Sequence, residues 1–259
     1  MKATEIRNAT VKLQFNGTTF LIDPMLADKG TYEPMSNQQG NTERNPIVEL
    51  PMSLEEILDG VDAVIVTHDH IDHWDQKAEE VIDKEMPIFV QGEPDRTLIV
   101  HAGFKDVRIL DSAIDFHGVR LQPTQGKHYE NNDVKDVLEK DFNTSKTMGV
   151  LFTAKSEKSL FFTGDTIWFD GLKESLEKYQ PELIVVNAGG NGFKEGRLIL
   201  DQEDVLKIHQ LLPSAKLIAS HMDAVNHGTV TRSMLKKFAQ DKGFDDSLLI
   251  PSDGETWEA

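Results

Sequence analysis

The chain has no cysteine in its 259 residues. That excludes disulfides and any thiolate metal site, and it fits a reducing compartment. Long apolar runs are also missing. No segment approaches the ~20 residues of a membrane helix, and Met1-Lys2-Ala3-Thr4-Glu5-Ile6-Arg7-Asn8 lacks the apolar core of a secretion signal. The expectation is a cytoplasmic protein with no membrane partner. Positive charge is scarce: 27 Lys plus Arg stand against 44 Asp plus Glu, a net charge of −17. Such a balance argues against a nucleic-acid or anionic-membrane surface. No GxxxxGK[ST] phosphate loop occurs. Nor is there a Pro/Ser-rich linker or composition break, so residues 1–259 read as one domain. Apolar residues make up 39%, enough for a substantial core at this length.

What is present is a set of short apolar strands that end in polar residues. Residues 4–22 read as two strands about the Asn16-Gly17 turn. Residues 25–53 read as a long loop, of the kind that is usually functional. Ser53, with Glu56 in the capping-box position, starts a helix over Leu54–Leu58. Val61 to Val66 is a buried strand. Helices are expected over Gln76–Lys84, Glu93–Ala102, Leu172–Tyr179, from Asp201 to about Leu212, and after Thr231, the last carrying Met234, Leu235 and Phe238 on one face. Further strands are expected at 87–90, 107–110, 119–123, 148–154, 159–163, 181–187 and 216–220. Residues 130–147 read as an exposed insertion with a short helix, Val134–Lys140. Thr19-Phe20-Leu21-Ile22-Asp23 is echoed by Leu160 to Asp165, and Asp62 to His68 by Glu182 to Ala188. The echo predicts two similar β/α halves packed sheet on sheet, with helices outside.

The chemistry concentrates in Thr67-His68-Asp69-His70-Ile71-Asp72-His73, at the C-terminal end of the Val61–Val66 strand. His68 and His70 are two apart, so extended backbone sends both rings to one face, where they can share a metal ion. Asp72 and His73 follow after a turn and can serve a second ion. His128, Asp165 and His221 also sit at the ends of expected strands. His117 competes with His128, but it precedes its strand whereas His128 follows it. His227, six residues beyond His221, fits either a substrate contact or a capping role.

His68 to His73 resembles the HxHxDH motif of the metallo-β-lactamase superfamily. His128, the Thr163-Gly164-Asp165 aspartate and His221 follow in that family's order, and the Asn45-Pro46…Leu50-Pro51 and His221–His227 segments resemble its ascorbate-6-phosphate lactonase-like group. The resemblance implies an α/β fold: a four-layer αββα sandwich of two mixed β-sheets with outer helices. It implies that His68, His70 and His128 bind one metal, that Asp72, His73 and His221 bind a second, and that Asp165 bridges them. Asp69 is left to hydrogen-bond water or the departing group, and His227 to act near the substrate. Thr67 and Asp23 stand behind the ligands. Two divalent ions are expected, zinc first, with manganese or iron as alternatives, because all ligands are N or O.

Two such ions with Asp72, Asp165 and a bridging hydroxide carry a net charge of about +1, and they bring the pKa of bound water to about 7. The expected function is therefore hydrolysis of a lactone, ester or phosphoester of a small, anionic substrate. A superfamily nuclease and a non-catalytic metal- or metabolite-binding module are the alternatives. A homo-oligomer is compatible with the sequence.

Overall fold

The structure, a computed structural model, describes residues 1–35 and 39–259. The middle of the expected 25–53 loop, residues 36–38, lies outside the described residues. Strands β1 (Lys2–Arg7), β2 (Thr10–Phe15), β3 (Thr18–Ile22), β4 (Ala63–Val66), β5 (Ile88–Val90) and β6 (Val107–Ile109) form the first sheet. Helices α1 (Leu54–Leu58), α2 (Gln76–Val81) and α3 (Glu93–His101) interrupt them. The chain continues through β7 (Ile114–Phe116), β8 (Val119–Gln125), α4 (Asn132–Asp141), β9 (Met148–Thr153), β10 (Leu160–Phe162), α5 (Asp170–Tyr179) and β11 (Leu183–Asn187). A small hairpin, β12 (Gly192–Phe193) and β13 (Gly196–Arg197), then precedes α6 (Gln202–Leu211), β14 (Lys216–Ser220), α7 (Arg232–Lys242), β15 (Leu248–Leu249) and β16 (Thr256–Glu258).

The sheet orders are β16-β1-β2-β3-β4-β5-β6 and β15-β14-β11-β10-β9-β8-β7. The internal echo is real in the topology. β2 and β3 pair antiparallel before β3 and β4 pair parallel, and β9, β10 and β11 repeat this. Alternation explains why the central strands are apolar throughout. Phe20, Ile22, Ile65, Phe152, Phe162 and Val185 meet between the sheets. Leu21, Val64 and Val66 instead face Ile57, Ala78 and Ile99 of the first three helices. Phe161, Ile184 and Leu217 face Leu172, Leu176, Ile208 and Leu235 of the later ones. Four layers result, as the sequence predicts. The Ser53–Glu56 capping box is formed. Among the described residues, no helix is long and apolar enough to cross a membrane.

Some expectations are corrected. Residues 2–22 form three strands, because β1 hides its pattern behind the buried charged residues Glu5 and Arg7. Ile114–Phe116 is a strand that pairs with β8 across an exposed turn carrying His117. The 130–147 segment is not simply exposed: Val134 and Leu138 of α4 pack on Phe193, Leu198 and Ile199. On α7 the buried positions are Leu235 and Ala239, while Met234 is 47% exposed.

Candidate metal centre

Both sheets end at the same place. His68 follows β4, His128 follows β8, Asp165 follows β10 and His221 follows β14. The backbone bends sharply there. Asp23 and His221 hold positive φ of 46° and 59°, and Gly164 has +60°. Left-handed non-glycine residues are strained and collect at functional sites.

Ligand atoms lie within 4.8 Å of one another in three overlapping groups: His68, His70 and His128; His68, His73 and Asp165; Asp72, His73 and His221. All seven residues expected to bind metal therefore meet in one cluster. His70 is half-buried and the others are buried.

The hydrogen bonding at the outer side of the rings tests whether a metal fits. His70 Nε2 donates to Thr144 O at 3.0 Å and His128 Nδ1 to Leu198 O at 3.2 Å. A carbonyl only accepts, so each neutral ring keeps its lone pair on the other nitrogen. Those two nitrogens, His70 Nδ1 and His128 Nε2, face each other at 3.2 Å. Two lone pairs at that distance repel unless a cation lies against both. His68 Nε2 is also buried without a hydrogen-bond partner. The donor set is imidazole and carboxylate, suited to zinc, manganese or iron.

Electrostatics agree. Burial holds His68 well below its ordinary pKa, lowers His70 and takes His128 to about 3. These rings are neutral at pH 7, as ligation requires. Burial alone would raise Asp72 and Asp165, but the surrounding histidines, His73 foremost, hold both well below the carboxylate range. Burial would lower His73, but Asp165, Asp23 and Asp72 outweigh it and raise the ring well above its ordinary value. The carboxylates demand a positive charge at this point, a proton or a metal ion.

Supporting groups fix the ligands. Asp23 Oδ2 lies 2.9 Å from His73 Nδ1, and its two oxygens accept from Thr67 N at 2.7 Å and Thr67 Oγ1 at 2.8 Å. Asn187 Nδ2 donates to Asp165 Oδ1 at 2.7 Å. Asn8, with φ 60°, donates to Asp72 O at 3.0 Å, and its own carbonyl accepts from His221 N at 2.8 Å. Asn8 escapes sequence reasoning, since an asparagine after a strand carries no distinctive pattern. Asp69 belongs to none of the three groups; its Oδ2 accepts from Asn143 Nδ2 at 3.0 Å. His227 lines the pocket over the cluster, its Nε2 4.0 Å from Asp72 Oδ2, and burial lowers it to about 4.

The pocket is small, with about 10 Å³ of free volume. Its polar floor is His70, Asp72, His128, Asp165 and His227, and its walls are Met35, Leu138, Phe142, Phe193 and Leu198.

The model of the beta-lactamase superfamily domain matches residues 18–222, most of the chain and all seven clustered residues. The chain belongs to the metallo-β-lactamase superfamily. Within it, the chain is 42% identical over 258 residues to the UPF0173 protein YddR of Bacillus subtilis (strain 168), covering 99% of each. The crystal structure of an isothiocyanate hydrolase from Delia radicum gut bacteria superposes with a TM-score of 0.95 at 40% identity, covering 100% of this chain and 99% of that one. A possible metal-dependent hydrolase from Veillonella parvula DSM 2008 gives 0.95 at 38% identity, over the same shares.

Proposed function

We propose that this metal-dependent hydrolase acts on small, uncharged electrophiles with an apolar tail, isothiocyanates foremost. The observation that carries the reading is the pocket wall. Five apolar side chains face the metal-binding floor, and no Lys or Arg stands among the described lining residues. The anionic substrate expected from the sequence would find no side-chain cation there. The isothiocyanate hydrolase, alike over the full length of both chains, supports the same substrate class.

His68, His70 and His128 would hold one divalent ion, Asp72, His73 and His221 a second, with Asp165 between them. Bound ions supply a water acidified to about pKa 7 and a Lewis acid for the electrophile. The chain's own residues do the rest. The pocket as it stands has about 10 Å³ of free volume, so Met35, Leu138, Phe142, Phe193 and Leu198 would have to part to admit a tail; closed over it, they would exclude bulk water and strengthen every charge interaction on the floor. Water adds across the C=N bond of R–N=C=S: the C=N π bond breaks, oxygen bonds to carbon and nitrogen takes one proton, giving R–NH–C(=S)–OH. Its C–N bond then breaks as the hydroxyl proton passes to nitrogen, releasing the amine R–NH2 and carbonyl sulfide. His227, in the polar floor, is positioned to hydrogen-bond a substrate heteroatom.

The test is a panel assay of the protein loaded with zinc, manganese or iron. Alkyl and aryl-alkyl isothiocyanates should be consumed faster than lactones, carboxylic esters or phosphodiesters, and Asp165→Ala should abolish turnover. Preference for a phosphorylated lactone or a phosphodiester would overturn the substrate reading and favour the anionic class.

A further inference from the structure

Asn191 is 1% exposed and lies between two histidines. Its Nδ2 is 3.0 Å from His227 Nε2 and 3.5 Å from His221 Nδ1, while its Oδ1 is buried with no partner. The two ends of an amide are nearly the same shape, so the chemistry of the neighbours decides which end faces them. An NH2 donating to His221 Nδ1 would leave the ring proton on Nε2. That nitrogen lies 3.1 Å from His73 Nε2 and 3.2 Å from Asp72 Oδ2, inside the ligand cluster. A protonated Nε2 cannot ligate. With the carbonyl oxygen turned toward the rings, His221 Nδ1–H and His227 Nε2–H both donate to it. His221 Nε2 then carries its lone pair into the cluster; the NH2 moves to the buried side beside Gly189, so ligation by His221, rather than the count of paired amide atoms, decides the orientation.

We propose that Asn191 is a positioning residue that works through its carbonyl oxygen, setting the tautomers of His221 and His227 together. One amide oxygen thus makes His221 an Nε2 ligand and leaves His227 Nδ1 free on its unpartnered side. The inference rests on reading the cluster as a metal centre. Its backbone is independently anchored, with Leu198 N donating to Asn191 O at 2.8 Å, so side-chain variants keep the loop's hydrogen bond.

The experiment pairs zinc affinity, by chelator competition, with nitrogen-15 spectra of the histidines in the zinc-loaded protein. Wild type should show Nδ1–H on His221 and Nε2–H on His227. Asn191→Ala should weaken zinc binding about 10- to 100-fold, the usual loss when a group behind a ligand is removed. Asn191→Asp, an acceptor only, should stay within a few-fold of wild type. An Nε2–H on His221, or Asn191→Asp failing as badly as Asn191→Ala, would overturn the assignment. Wild type binding no zinc, manganese or iron would instead overturn the metal reading beneath it.

Discussion

Glu5 is buried on β1, on the same strand as exposed Lys2. Ser220 Oγ donates to its Oε1 at 3.0 Å, and its Oε2 has no partner. Burial raises its pKa well above 4.5, with Arg232 opposing and Asp253 adding to the rise. A raised folded-state pKa means that this group's stabilisation is complete below about pH 4.5 and is lost as pH climbs through the folded value. Glu5→Gln keeps an acceptor for Ser220 and cannot ionise. Its melting temperature should therefore exceed wild type at pH 8 by about 2 °C or more, roughly 1 kcal/mol, and the gap should close near pH 4. Thermal unfolding at the two pH values checks this, and an equal effect at both would show that ionisation is not the cause. At the same scale, Asp23 and Asn187 show how a ligand is held from behind, through His73 and Asp165 respectively.

Elements place these residues by ending together. The β10 end shows how tightly. A Cβ on Gly164 would come within 2.3 Å of Met148 O, at a φ of +60°. Gly60 has a similar φ of +68° but nothing within 4 Å. Gly60→Ala should cost only the left-handed strain, about 1–2 kcal/mol. Gly164→Ala should cost at least ~3 kcal/mol and displace Asp165, lowering metal affinity as well. Urea unfolding of the pair separates backbone strain from collision. Helix α4 is the other informative element. It carries Leu138 into the pocket wall, and the chain just after it supplies Phe142 and the Thr144 carbonyl that holds His70. Leu138→Ala widens the pocket without touching a ligand. On the proposed function it should lower KM for longer-tailed isothiocyanates by several-fold while leaving metal affinity unchanged. Identical KM values across tail lengths would mean that α4 does not line the bound substrate.

At the scale of the whole molecule, the two-sheet architecture was legible because the strand cores alternate between an inter-sheet face and a helix face, leaving continuous apolar runs. The motif from His68 to His73 was legible because five chemistry-bearing residues stand together in the chain. Other parts could not be read. β1 carries buried Glu5 and Arg7, which imitate a surface segment. Asn8 reaches Asp72 and His221 across 64 and 213 residues, a closure that only the packed sheets create. The cover from α4 likewise depends on Phe193 and Leu198, more than fifty residues later. The net charge of −17 bears on function as well. On the proposed function, the acidic long-range field and the lack of a cationic side chain among the described pocket residues oppose anionic substrates, against the charge of about +1 expected of a metal-loaded centre.

On the proposed function, His68, His70, Asp72, His73, His128, Asp165 and His221 form one metal centre that drives hydrolysis. Stepwise reconstitution of metal-free protein with zinc or manganese, followed by turnover of an aryl-alkyl isothiocyanate, tests it most directly. Turnover should be absent without metal, rise with each addition and level off at two equivalents, with Asp165→Ala flat throughout. Turnover that ignores added metal, or that survives in Asp165→Ala, would contradict the account.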